Sequence, residues 1–338
     1  MNKLPLLAML FFFSCGTNNG SNTEAAGGSS DSGSIERMHP ALDAIVANNT
    51  DFEIIAEGFE WSEGPLWIEQ HNMLLFSDVP RNTIYKWTAN KGKEVYLTPS
   101  GYTGTVARGG ETGSNGLALN PAGKLVLCQH GNRQVAWMDA DLLNPQPNFK
   151  PIANNYEGKK FNSPNDVTFD KQGNAYFTDP PYGLEKNADD PLKEIPFQGV
   201  YKATPSGKVT LITDSITRPN GIAITPDGRT LIVANSDPSK AMWYAFDING
   251  DSVTNGRVFY DATAEVGKGK GLPDGLKIDS KGNIYATGPG GIWIFNKDAK
   301  LLGRARFREA TSNCALSADE KTLYVTADMY VLRLHINQ

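Results

Sequence analysis

Six times along the chain an acidic or amide residue opens a run of alternating apolar residues, a polar turn and a second apolar run. The copies are SEGPLWIEQHNMLLFSDVPRNTIYKW, SNGLALNPAGKLVLCQHGNRQVAWMD, SPNDVTFDKQGNAYFTDPPYG with its continuation GVYKAT, RPNGIAITPDGRTLIVANSDPSKAMWYAF, LPDGLKIDSKGNIYATGPGGIWIFN and SNCALSADEKTLYVTADMYVLRLHI. Alternation with a period of two marks half-buried strands, and the Gly, Asp, Asn and Pro clusters between the runs mark turns. Each copy therefore reads as three short strands, and a fourth apolar stretch follows the first five: KEVYL, FKPIA, KVTLIT, RVFYD and LLGRARF. The opening residues are Glu63, Asn115, Asn165, Asn220, Asp274 and Asn313. They recur at intervals of roughly 40–55 residues, comparable to a four-stranded propeller blade. The sixth copy ends without a fourth strand, and the stretch FEII just upstream of the first copy has no partner. Pairing the two latches the ring and leaves little open edge. The expected fold is all-β: a six-bladed β-propeller of four-stranded blades over residues 49–338, closed by an N-terminal strand. A pair of β-sandwiches gives no reason for six repeats, and no window shows the sustained 3.6-residue period of a long helix.

The apolar fraction of 40% is ordinary for a globular protein and sufficient for a sizeable core. Net charge is -5 with no basic block, which argues against a nucleic-acid partner, since phosphate binding needs clustered Lys and Arg. The three cysteines, Cys15, Cys128 and Cys314, frame no disulfide scaffold. Cys128 and Cys314 fall in expected strands of different blades and read as small buried hydrophobes. Cys15 follows a single cation, Lys3, and an apolar run from Leu4 to Phe13, too short to span a bilayer and suited to a signal peptide. The run ending in Ser14 and Cys15 resembles a bacterial lipoprotein signal. Residues 1–14 are read as the signal and 15–48 as a lipidated cysteine with a flexible linker rich in Ser, Gly, Asn and Thr. This places the propeller outside the cytoplasm, in the periplasm or at the outer-membrane surface, touching membrane only through an anchor at Cys15.

Equivalent positions in a rotational repeat lie on a circle. If each opening residue begins an innermost strand, two carboxylates and four carboxamides face one channel mouth, an all-oxygen set suited to a hard cation such as Ca²⁺. Asn-Gly and Asp-Gly are also standard turn dipeptides. However, Asn165 is followed by Asp166 and Asn313 by Cys314, so the acid or amide persists where glycine does not. His130, after the second strand of the second copy, is the best separate base, because imidazole titrates near neutral pH. No G-x-S-x-G elbow is present, which disfavours a serine hydrolase.

The motifs EGPLW, SPNDVTFDKQGNAYFTD, RPNGIAITPDGRTLIVAN and LPDGLKIDSKGNIYAT, in this order, resemble the SMP-30/gluconolactonase/LRE family. The resemblance implies a six-bladed propeller, one divalent cation and hydrolysis of a small-molecule lactone. By motif, Glu63, Asn220 and Asp274 match the family's metal ligands, and Asn165 the asparagine that approaches the metal or the substrate. Asn115, Asn165 and Tyr182 are the expected substrate contacts, and Asp274 and His130 the expected catalytic groups. Ca²⁺ leads among cations, with Mg²⁺, Mn²⁺ and Zn²⁺ as alternatives. Some members carry an arginine two residues before the third-copy asparagine, where this chain has Ser163, so a sugar lactone is not specifically implied. Tyr182 lies in the long insertion DPPYGLEKNADDPLKEIPFQG, read as part of a lid. The other readings of this site are a ligand-binding propeller without chemistry and another esterase activity on the same scaffold.

Overall fold

A computed structural model of the chain describes residues 33–47 and 50–336. The expected signal peptide and the cysteine anchor at Cys15 lie outside these residues.

Six antiparallel sheets follow one another along the chain. Blade one comprises Ser62–Ile68, Met73–Asp78, Thr83–Thr88 and Gly92–Leu97. Blade two comprises Ser114–Leu119, Leu125–Gln129, Gln134–Met138 and Phe149–Ala153. Blade three has Val167–Phe169, Ala175–Asp179, Gly199–Ala203 and Val209–Thr213. Blade four has Pro219–Ile224, Thr230–Asn235, Met242–Asn249 and Ser252–Asp261. Blade five has Leu276–Ile278, Ile284–Gly288, Gly291–Phe295 and Leu301–Arg306. Blade six takes Thr311–Leu316, Thr322–Ala327 and Tyr330–His335 from the C-terminus, and Phe52–Glu57 from the N-terminal side as its outer strand. The innermost strands neighbour one another in chain order, and the sixth returns to the first. This is the expected six-bladed ring and its expected latch.

Apolar side chains do not gather at the axis. They form six slabs, one between each pair of adjacent blades. Alternation explains this: each twisted sheet has two faces, and each face packs on its neighbour. Between blades four and five, Trp243 and Trp293 lie 5.6 Å apart, with Phe295 edge-on to Trp243 at 5.4 Å. The axis is left to polar groups. Cys128 and Cys314 are fully buried and unlinked, as expected of small hydrophobes in strands.

The structure corrects the span expected of the linker. Ser34–Arg37, inside the stretch 15–48, pairs antiparallel with Leu301–Arg306 and makes blade five five-stranded. A 3-10 turn, Pro40–Ala44, then sets Leu42 and Val46 fully into the slab between blades five and six. Arg37 holds the turn, reaching Asp43 at 2.6 Å and the Val46 carbonyl at 2.8 Å. The strap folds because the outer strand of blade five offers a free edge and an apolar slot.

Candidate functional site

Each opening residue sits near the start of an innermost strand, at the channel end of its blade. Pairing with the second strand shifts register there in blades one, two, four and six, between Glu63 and Leu66, Ser114 and Leu117, Pro219 and Ile222, and Thr311 and Asn313. Such irregularities turn side chains away from the sheet and toward the axis.

The glycines that follow are not turn residues. A Cβ on Gly64 would lie 2.1 Å from the Asn115 carbonyl oxygen, and one on Gly221 2.1 Å from that of Asp274. On Gly116 it would meet Asp166 Oδ1 at 2.6 Å, and on Gly275 the Asn313 side chain at 2.0 Å. Each glycine thus lets the next blade's opening residue approach the axis. The shared polar site is what the repeat encodes, and the turn reading is set aside.

Five of the six opening residues, Glu63, Asn115, Asn165, Asn220 and Asp274, line one cavity of about 380 Å³. Asn313 does not; its Nδ2 donates to Glu63 Oε2 at 3.2 Å and its Oδ1 accepts from Cys314 N at 2.8 Å, bracing Glu63 from the side. Glu63 Oε2 also accepts from Gly64 N at 2.6 Å. Asn220 donates to Ser236 Oγ at 2.9 Å, and Ser236 donates to the Pro273 carbonyl at 2.6 Å. Asp274 Oδ1 and Asn115 Oδ1 are buried without a hydrogen-bond partner. Burial pushes the Glu63 carboxyl up to about 8, and the nearby Asp166 adds to the rise. Asp274 is raised well above the usual carboxylate range, by burial first and then by the charges of Glu63, Asp166 and Glu111. Two crowded carboxyls, one of them with an orphaned oxygen, and the orphaned amide oxygen of Asn115 fit a cation. Among the described residues no three His, Cys, Asp or Glu side chains gather as a metal cluster. The opening residues bring two carboxyls and three carboxamides to the cavity, and Glu111 adds a third carboxyl.

Tyr182 lines the cavity as expected. Ser163 explains how it is held: its Oγ donates to the Pro180 carbonyl at 2.6 Å and accepts from Gly183 N at 2.9 Å. The position occupied by arginine in some relatives is here a fully buried brace for the tyrosine loop. The rest of that insertion packs down on blade two through Arg133, which donates to the carbonyls of Phe161 at 2.6 Å and Leu192 at 2.9 Å.

His130 does not line the cavity. Its ring is fully buried, and Nδ1 lies 3.4 Å from Glu111 Oε2, which does line it. The imidazole expected as a base thus stands behind Glu111, a wall residue, rather than on the wall itself. Glu111, Arg218, Ser236 and Trp61 were not anticipated as wall residues. Arg218 opens the fourth copy and Trp61 directly precedes the first, so both carried a signal; Glu111 sits in the aperiodic loop 102–113 and carried none. A larger groove of about 580 Å³ opens between blades four and five at the opposite strand ends, around Thr225, Phe259 and Ser280, and gathers none of the opening residues.

Residues 61–328 match the family model described as the SMP-30/gluconolactonase/LRE-like region. The chain is 41% identical over 310 residues to a gluconolactonase of Zymomonas mobilis, covering 89% of this chain and 86% of that one. It is 31% identical to the diisopropyl-fluorophosphatase of Loligo vulgaris, covering 63% of this chain and 70% of that one. The structure of a gluconolactonase from Xanthomonas campestris superposes with a TM-score of 0.76 at 28% identity, covering 89% of this chain and 94% of the other. On the matched length, the six blades and the ring of acids and amides, this chain belongs to the SMP-30/gluconolactonase/LRE-like family.

Proposed function

We propose that this propeller is a divalent-cation-dependent hydrolase that opens small-molecule lactones. One observation carries the reading: Glu63, Asn165, Asn220 and Asp274, contributed by four different blades, converge on one cavity in a chain 41% identical to a gluconolactonase. These four residues hold the cation, and Ca²⁺ is the first choice because every donor is a hard oxygen; Mg²⁺, Mn²⁺ and Zn²⁺ are the alternatives. When bound, the cation supplies Lewis acidity at the lactone carbonyl oxygen and stabilises the charge that develops there. Asn115 and Asn165 offer amide groups to orient the lactone, and Tyr182 offers its hydroxyl and ring face. Trp61 and Leu272 give the cavity an apolar wall that limits water around the ester. Asp274, as a ligand, becomes a weaker base, so proton transfer calls for a further group.

The test is hydrolysis by the purified protein, first stripped with chelator and then reloaded with each of the four cations. Proton release is followed on aldonolactones, simple lactones, thiolactones and aryl esters. The expected result is lactone turnover lost on chelation and restored by calcium. No turnover on any of these compounds in any metallated state would leave a ligand-binding propeller and end the hydrolase reading.

A further inference from the structure

The buried imidazole of His130 has no hydrogen-bond partner on either ring nitrogen, and its Nδ1 lies 3.4 Å from the Glu111 carboxylate. The histidine is clamped between two loops at the cavity rim. On one side Gly183 approaches so closely that a Cβ there would lie 2.6 Å from His130 Cβ. On the other, loop 102–113 is tied down by Arg108, whose guanidinium donates to the carbonyls of Gly131, at 2.8 Å, and Gly183. His130 N donates to the Gly113 carbonyl at 3.1 Å, fixing the base of the same loop. The fold therefore goes to some length to place an imidazole behind one carboxylate. That carboxylate differs from its neighbours in the cavity. Glu63 is buried and bonded within the ring of opening residues, and Asp274 is a cation ligand in the reading above. Glu111 lines the cavity yet keeps a side chain 38% exposed, so both water and a bound substrate can reach it.

We propose that Glu111 is the proton-transferring catalytic residue of this site and that His130 is the positioning residue behind it, an assignment that rests on the lactonase reading above. The Glu111 carboxylate takes a proton from the attacking water as the water oxygen bonds to the lactone carbonyl carbon. The bond between the acyl carbon and the ring oxygen then breaks, and the proton passes from Glu111 to that oxygen. One water is consumed, the hydroxy acid releases its own carboxyl proton to solvent, and Glu111 is a carboxylate again. As the 3.4 Å gap tightens in the reacting complex, His130 Nδ1 donates to Glu111 Oε2 and holds it in place. The other charged or titratable groups facing the pair across the cavity are Glu63, Asp274, Tyr182 and Arg218, together with Arg108, whose guanidinium is occupied by the two carbonyls.

The experiment compares wild type, Glu111→Gln, Glu111→Ala, His130→Phe and His130→Gln on a lactone that the wild type hydrolyses, with calcium binding measured in parallel by calorimetry. Glu111→Gln is expected to lower kcat by roughly 10²–10⁴-fold, with calcium affinity unchanged within about twofold. Its pH profile should lose the acid limb of kcat/KM, and Glu111→Ala should regain turnover with added formate. His130→Phe should lower kcat by about tenfold at unchanged KM. His130→Gln, which keeps a donor, should recover most of that loss, and it also serves if the phenylalanine variant misfolds. Turnover by Glu111→Gln within about threefold of wild type overturns the assignment. So does a loss of activity matched by a loss of calcium affinity, which would make Glu111 a ligand. A wild type inert on every lactone overturns the lactonase reading itself, and this assignment with it.

Discussion

Replacing Glu63 by glutamine preserves the shape of a buried side chain and removes its charge. The amide oxygen of the variant accepts from Gly64 N and Asn313 Nδ2 as the carboxylate oxygen does at 2.6 and 3.2 Å. Without a cation, the native charge is a burden. Burial moves the carboxyl from an ordinary 4.5 to about 8. A carboxyl raised in the folded state contributes stability that is complete below its unfolded value of 4.5 and is lost as the pH rises through about 8. Holding it protonated at pH 7 costs about 3 kcal/mol, at roughly 1.4 kcal/mol per pH unit above the unfolded value. In chelator, Glu63→Gln should therefore be more stable than wild type at pH 7 by up to about 3 kcal/mol. At roughly 2 cal/mol/K of unfolding entropy per residue, that raises Tm by about 5 °C in a chain of this length. The gap should shrink toward zero near pH 4.5 and stop growing above pH 8. Saturating calcium should reverse the order. The wild type gains about 2.7 kcal/mol at a hundredfold excess over Kd, and the variant, short of a charged donor, gains less. Thermal unfolding of both proteins at pH 5, 6, 7 and 8, in chelator and in calcium, reads all of this. A variant destabilised equally in both conditions at every pH would make Glu63 a structural acceptor and refute the cation site.

Four further outcomes are expected. Gly221→Ala forces a Cβ to within 2.1 Å of the Asp274 carbonyl oxygen, so it should cost about 1–3 kcal/mol and weaken calcium binding measured by calorimetry. Gly123→Ala, where the backbone is strained at φ 73° but nothing lies within 4 Å, should cost about 1 kcal/mol and leave calcium binding unchanged. Leu42→Ala should cost about 2–5 kcal/mol in urea unfolding, since the side chain is fully buried between blades five and six; no loss would return the strap to the status of a loose linker. Cys15→Ser should move the protein, expressed in a bacterial host, from the membrane pellet to the soluble fraction; a soluble wild type would refute the lipid anchor.

The blades were legible because period-two alternation and turn residues repeat six times, and the latch because one copy lacked a strand that the N-terminal side supplied. The opening residues were legible as a set, since rotation converts sequence period into spatial convergence. What the glycines do was not. Asn-Gly reads identically as a turn and as a close approach between strands, and only the neighbouring blade decides, as Gly221 against Asp274 shows. The strap over residues 34–46 was hidden because its apolar residues, Ile35, Leu42 and Val46, fall outside the repeat and find their partners about 260 residues away. Glu111 was hidden for a related reason: it belongs to no blade and reaches the cavity through a loop whose course depends on Arg108 bonding to Gly131 and Gly183.

The seam of the ring passes through the site. Blade six is closed by Phe52–Glu57, and a few residues later the chain enters blade one at Glu63. Across that seam Ser312 Oγ donates to the Ser62 carbonyl at 2.6 Å, Ser62 Oγ donates to the carbonyls of Asp328 and Tyr330 at 2.9 Å, and Asn313 donates to Glu63. These contacts join residues some 250 positions apart, so each is formed against the entropy of closing most of the chain into a loop. In the proposed site, a cation on Glu63 of blade one, Asn165 of blade three, Asn220 of blade four and Asp274 just ahead of blade five would tie the first blade to those that precede the seam on its far side. Its binding energy would then also be ring-closure energy. Chelation should accordingly loosen the latch and the sixth blade before the slabs between blades two, three and four, and amide exchange that rises uniformly around the ring would refute that coupling.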